Sequence, residues 1–299
     1  MKRILITGSN GLLGQKLVHQ LLHNESYLLL ATSMGDNRMS ILKEANYSKN
    51  YQSLDITNQE EVEKVVASFK PNVIINTAAM TNVDACETDQ ENCWKLNVTA
   101  VEYLIEACKK VDAHLIHLST EFVFDGENGP YKEEDVAIPL SYYGQSKLAS
   151  EKQMQNSGLK HWSIARTIIV YGVAENMSRS NIVLWAKEAL EKKQPIKVVD
   201  DQFRMPTWAD DLAKGCLLIA EKQANGIFHL SGKDFMSIYE LVERVADYFG
   251  LEKNTMEKIK SNSLNQAAKR PPKTGFVLDK STTILGYNPI SFEEGLKKI

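Results

Sequence analysis

The chain has 299 residues, 43% of them hydrophobic, with 35 basic and 38 acidic side chains and a formal net charge of −3. That near-balance gives no polybasic field and argues against nucleic acid as a partner. No apolar run reaches the roughly 18–20 residues that span a bilayer, and the first strand begins without the regions of a signal peptide, so no membrane partner and a cytoplasmic address are expected.

In chain order, Ile4 to Thr7 reads as a short apolar strand that enters a turn punctuated by Gly8, Gly11 and Gly14, and a helix follows to about His23. Glycines at intervals of three suit a backbone that turns tightly and lets a ligand approach; the helix then aims its free N–H groups at that ligand. The G-x-x-G-x-x-G spacing is one residue longer in its first gap than the dinucleotide fingerprint. With Asn10, Leu12 and Leu13 between the glycines, it reads as a nucleotide-binding loop, with a pyrophosphate as its guest.

Tyr27 to Ala31 suits a strand buried on both faces. An NAD site would place an acid at its end; this chain has Thr32, Ser33 and then Arg38, which suit a 2′-phosphate, while Asp36 keeps NAD open. Tyr51–Asp55 and Val73–Asn76 read as further strands around a helix over 58–69, so Gly8, Thr32, Asp55 and Ala78 are expected on one rim of a doubly wound α/β parallel sheet. Small residues at Ala78 and Ala79 would let a cofactor lie close to the backbone.

An almost unbroken helical pattern runs from Val83 to Lys110 and carries Asn97 amid apolar neighbours; a buried amide there either ties down backbone or holds a site water. Cys86 and Cys93 would lie about 10.5 Å apart along that helix, beyond disulfide reach. Neither C-x-x-C nor a metal-ligand spacing occurs, so all four cysteines are expected reduced and no metal is expected. His114–Leu118 is the fifth strand, its two histidines ordinary strand residues, and it delivers Ser119 and Thr120 to the rim. Tyr143 and Lys147 then fall one turn apart on one helix face, where an ammonium could lower a phenol from its usual pKa near 10.

The motifs at 7–14, 119–120 and 143–147, at these intervals, resemble the extended short-chain dehydrogenase/reductases. Closer still is the branch typified by dTDP-4-dehydrorhamnose reductase, through 76–84 (NTAAMTNVD), 124–126 (FDG), Pro130-Tyr131, Arg166-Thr167, Asp201-Gln202, Pro206-Thr207, Arg270-Pro271 and Leu278-Asp279. The similarity covers essentially the whole chain.

The resemblance implies a Rossmann-type domain over 1–170 and a mainly substrate-binding portion over 171–299, with interleaved segments. It implies Tyr143 as the acid/base, Lys147 as its partner on the nicotinamide ribose, and Thr120 as a donor to the substrate oxygen. The cofactor, NADP in preference to NAD, would lie along the glycine loop with its adenine end near Asp55 and Ile56, and past Ala78, Ala79 and Asn97. Thr81, Glu121, Phe122, Ile169, Arg204 and Arg270 would face a nucleotide-sugar substrate, the two arginines clamping its diphosphate. The implied reaction is reduction of a 4-keto-6-deoxy sugar nucleotide, in dTDP-rhamnose biosynthesis for cell-envelope polysaccharide, with a homodimer left open.

Two departures stand out: Glu121-Phe122 replaces the branch's usual Asp-Tyr, and Ile169 replaces a tryptophan. An epimerase or dehydratase that retains its cofactor, and a cofactor-binding regulatory subunit, are the rival readings. Past Thr167, helices over 181–192, 208–223 and 237–249 alternate with strands over 196–199 and 227–230. The lysine-rich stretch 253–260 reads as a solvated helix face.

Overall fold

The computed structural model describes every residue except Ser178. Its first half alternates strands and helices: β1 Lys2–Thr7, α1 Leu12–Leu22, β2 Tyr27–Ser33, β3 Tyr51–Ser53, α2 Gln59–Phe69, β4 Val73–Asn76, α3 Val83–Thr88, α4 Gln90–Trp94, α5 Ala100–Val111, β5 His114–Thr120, α6 Tyr142–Asn156 and β6 Trp162–Thr167. The second half adds β7 Val170–Tyr171, α7 Ile182–Glu191, β8 Ile196–Val199, β9 Phe203–Arg204, β10 Thr207–Trp208, α8 Ala209–Lys222, β11 Gly226–His229, β12 Met236–Ser237, α9 Ile238–Phe249, β13 Met256–Ile259, β14 Lys273–Thr274 and α10 Phe292–Leu296. Seven strands form one parallel sheet in the order β11-β6-β5-β4-β1-β2-β3. This is the doubly wound α/β sheet that the alternation predicts.

Alternate residues of the central strands feed opposite layers, as the two-residue period of a strand requires. Ile4 and Ile6 pack with Leu17, Val18 and Leu21 of α1 and with Leu212, Cys216 and Ile219 of α8. Leu5, Ile74 and Leu115, in register on three adjacent strands, pack on the other face with Val62, Val65 and Val66 of α2 and Leu104 and Ile105 of α5. A further cluster joins α7, α9, Trp208 and Phe292 beside the sheet, among residues drawn entirely from the second half. The second half nonetheless completes the main sheet, since β11 pairs with β6.

Two expectations about helices are corrected. The helix predicted over 83–110 is broken once, because Asp89 leaves helical geometry (φ −127°, ψ 66°) and its carboxylate accepts from the Asn92 N–H to start α4. A π-helical turn over Lys95–Thr99 then carries Asn97 into α5. The lysine-rich stretch is not a helix: Met256–Ile259 pairs in parallel with Ile196–Val199, which engages one edge of its backbone and leaves Glu257 and Lys258 in solvent.

Close approach explains two of the loop glycines. A Cβ at Gly8, whose φ is +69°, would lie 2.7 Å from the Ala78 backbone nitrogen, and one at Gly14 would overlap the Gly8 carbonyl oxygen. Gly14→Ala should therefore lower stability by about 1–3 kcal/mol through forced backbone movement. Chemical denaturation measures it, and an unchanged midpoint would contradict this packing.

Candidate active site

A cavity of about 800 Å³ opens at the carboxyl ends of β1, β4, β5 and β6, the crevice position expected for such a sheet. Asn10, Gly11, Leu12, Leu13 and Gly14 line one side, and Thr120, Glu121, Phe122, Tyr143, Lys147 and Ile169 the floor. Ala79, Thr81, Arg204 and Arg270 also border it. Gly11 caps α1 without any side-chain acceptor, so the helix keeps free N–H groups toward the cavity. A glycine cradle that a Cβ would fill and an uncapped helix start together fit a dinucleotide pyrophosphate.

Arg38 and Asp36 are exposed on the loop after β2. The Asn10 amide pins that loop over the glycine turn: Nδ2 donates to the Asp36 carbonyl at 2.9 Å, and Oδ1 accepts from the Arg38 N–H at 3.0 Å. Ser33 is half-buried at the end of β2. Thr32 is a correction. Its hydroxyl donates inward to the Ile6 carbonyl at 2.9 Å and the residue is fully buried, so it has no donor for a phosphate.

Asp55 and Ile56 lie beyond the end of β3, outside the cavity lining. The Asp55 carboxylate closes a turn by accepting from the N–H and hydroxyl of Thr57. Ala78 touches the glycine loop from behind. Asn97 is a second correction: it is the backbone tie and not a cofactor contact. Its Oδ1 accepts from Met80 N–H at 2.8 Å, and its Nδ2 faces the Met80 carbonyl and Ser146 Oγ, both at 3.1 Å.

Ser141 caps α6, and the helix presents Tyr143 and Lys147 to the cavity floor. The Phe122 ring meets Tyr143 edge-on at 5.7 Å between centroids. Burial, reinforced by the Glu121 charge, pushes the Tyr143 phenol well above its ordinary value, while the Thr120 hydroxyl opposes that shift. The expected lowering by Lys147 does not appear, and the lysine Nζ lies 2.9 Å from His117 Nε2. Burial also brings Lys147 down to about 8.

The Thr120 hydroxyl donates to Glu121 Oε2 at 2.8 Å, and Glu121 Oε1 lies 3.6 Å from Arg204 Nε. Both members of this ion pair are buried, at 3% and 2% side-chain exposure. The free diphosphate clamp expected of Arg204 is therefore corrected: its remaining nitrogens donate to the carbonyls of Phe203, Pro271 and Pro272. Arg270 keeps a place on the cavity wall, held by a bidentate pair with Asp84 at 3.2 and 2.6 Å. Ile169 adopts φ +31°, a costly conformation for a β-branched residue and one that fixes this part of the wall.

Sequence reasoning passed over several wall residues, among them Asn82, Met177, Arg179, Asn181 and Trp185. Most sit in the irregular stretch after β7, where no periodicity or motif signals a site. Arg179 is exposed at the cavity edge.

The Glu121–Arg204 pair generates a stability prediction. Burial raises the Glu121 carboxyl and Arg204 opposes that rise, so removing Arg204 raises it further. A raised folded-state value means stability present at low pH and lost as pH climbs through it. Arg204→Met should cost about 3–5 kcal/mol near neutral pH, and less in mild acid where Glu121 takes up a proton. Denaturation across pH checks this; a loss independent of pH would contradict it.

Residues 1–299 match the family model described as RmlD substrate binding domain. Over 311 aligned residues the chain is 33% identical to a dTDP-4-dehydrorhamnose reductase of Aggregatibacter actinomycetemcomitans, covering 100% of this chain and 98% of that protein. It is 31% identical over 278 residues to methionine adenosyltransferase 2 subunit beta of Danio rerio, covering 90% and 81%. Among solved structures, the Bacillus anthracis dTDP-4-dehydrorhamnose reductase in complex with NADP superposes with a TM-score of 0.85 at 28% identity, over 99% of this chain and 98% of that one. The chain thus belongs to the RmlD-like branch of the extended short-chain dehydrogenase/reductases.

Proposed function

We propose that the protein is an NADP-dependent oxidoreductase that reduces the ketone of a 4-keto-6-deoxy sugar nucleotide, with Tyr143 as proton donor. The observation that carries this reading is the buried Tyr143 beside Thr120 on the floor of a cavity whose far wall is a glycine cradle. Bound NADPH supplies the hydride. A phenol held well above its ordinary pKa stays protonated near neutral pH, the state required to donate to an oxygen gaining negative charge. Thr120 sits where it can hydrogen-bond that oxygen once its hydroxyl turns from Glu121, and the dry floor strengthens both contacts. Glu121, Phe122 and Ile169 shape the sugar-facing wall, and Thr81, Arg270 and Arg179 border the region where a diphosphate would lie.

The reading takes support from the NADP complex of the Bacillus anthracis relative and from the position of Arg38 beside the glycine loop. NADPH should bind more tightly than NADH. Arg38→Ala should narrow the gap by roughly one to two orders of magnitude, the worth of a charge-assisted phosphate contact of about 1.5–3 kcal/mol. Equal affinities of the unaltered protein for the two cofactors, measured by fluorescence titration, would contradict the assignment.

One observation favours a second reading as a cofactor-binding subunit of another enzyme: the 31% identity to methionine adenosyltransferase 2 subunit beta. NADPH oxidation against a panel of 4-keto-6-deoxy sugar nucleotides separates the two. The proposed reductase consumes NADPH with at least one member of the panel, and Tyr143→Phe loses about 10²–10⁴-fold in rate while still binding cofactor. Tight NADPH binding with no turnover across the panel would favour the subunit reading, and turnover without net NADPH consumption an epimerase or dehydratase.

A further inference from the structure

Thr7, Asn76 and His117 are register partners on β1, β4 and β5, so their side chains project from one face of the sheet in a single row. They lie two residues beyond Leu5, Ile74 and Leu115, where the apolar layer gives way to a polar one. All three are buried, at 0%, 1% and 1% exposure, and α6 closes over them with Lys147 and Ser150 at 2% and 0%.

Their hydrogen bonds run in one direction. The Thr7 hydroxyl donates to Asn76 Oδ1 at 2.6 Å, which turns Asn76 Nδ2 toward His117 Nδ1 at 3.0 Å. With the amide in this orientation its nitrogen has only protons to offer, so Nδ1 would accept and the neutral ring would carry its proton on Nε2. Nε2 lies 3.0 Å from Ser150 Oγ, which itself donates to the Lys147 carbonyl at 2.8 Å, and 2.9 Å from Lys147 Nζ. A second ring proton is disfavoured, because burial and the neighbouring lysine hold His117 well below its ordinary value.

We propose that this chain makes His117 the positioning residue of Lys147, locking the imidazole as the Nε2–H tautomer so that a donor faces Nζ and favours the amine over the ammonium. Other charged or titratable groups face the lysine. Glu151, one turn along α6, favours the ammonium, but both its oxygens are engaged by Arg166 at 2.9 and 2.7 Å. Cys93 of α4 acts in the same direction as Glu151. Tyr143 lies one turn earlier on α6. The lysine is thereby poised to gain or lose a proton near the working pH, where an exposed lysine stays charged. The catalytic consequence rests on the proposed reductase reading; the protonation states do not.

The test is nuclear magnetic resonance on the cofactor-free full chain. Imidazole ¹⁵N shifts report the His117 tautomer, and the Lys147 ¹³Cε shift reports its titration. The unaltered protein should show His117 as Nε2–H with no imidazolium signal, and Lys147 titrating near 8. Asn76→Asp replaces the donor by a carboxylate, which should pull the ring proton to Nδ1, free Nε2 to accept from the ammonium, and move the Lys147 midpoint up by at least about one pH unit. If the variant does not fold, the two measurements on the unaltered protein still decide. An Nδ1–H tautomer or an imidazolium in the unaltered protein, a Lys147 midpoint near 10, or a variant whose ring switches tautomer without moving Lys147 would each overturn the proposal. In activity assays the alkaline limb of kcat/KM should follow the same shift; loss of NADPH turnover with unchanged spectra would count against the reductase reading and not against this one.

Discussion

The cavity depends on one constraint: the row of polar side chains buried beneath α6 at the carboxyl end of the sheet must find its partners inside the protein. An unsatisfied buried group costs about 1–3 kcal/mol, so the row Thr7–Asn76–His117 can exist only as a connected chain. Because that chain ends on Ser150 and Lys147, it fixes how α6 lies against β5, and α6 in turn fixes Tyr143 over the cavity floor. The loop after β4 is held similarly, by the two ends of the Asn97 amide on Met80. The buried pair of Glu151 with Arg166 lies beneath the floor, and Glu121 with Arg204 borders it.

The pattern-bearing parts of this arrangement were legible in the sequence. The strand, the three glycines and the following helix announced the cradle, because tight turning and close backbone approach leave few residue choices. Alternation of strands and helices announced the parallel sheet, and the order Ser119-Thr120, Tyr143, Lys147 carried the family resemblance. Each of these signals is a pattern or spacing that can be read along the chain.

What escaped were properties set by partners distant in sequence. Thr32, Asn97 and Arg204 are the residue types that bind phosphates and cofactors, yet the fold uses their donors on the Ile6 carbonyl, on Met80 and on a proline-flanked turn near residue 271. The break at Asp89 was visible only as an acid with an asparagine three residues on, a weak signal within a strongly helical pattern. His117 read as an ordinary strand residue; only the register of β4 with β5 and the docking of α6 bring Asn76 and Lys147 to its two nitrogens. A resemblance carries residue identities across, and it does not carry the hydrogen bonds that decide which of those residues are free to act.

The departures from the branch pattern concentrate where the substrate would sit. Glu121 is one carbon longer than the usual aspartate and reaches both Thr120 and Arg204, while Ile169 takes a strained backbone in place of an aromatic wall. These changes leave the cradle and the Tyr143–Lys147 face in place, which separates the proposed redox chemistry from the proposed choice of sugar. Transfer of deuterium from NADPH labelled at the nicotinamide C4 position tests that chemistry most directly. The account predicts the label on the former carbonyl carbon of a 4-keto sugar nucleotide, with one oxidised cofactor released per product. Product formed without the label, or with the cofactor returned to its starting oxidation state, would contradict it.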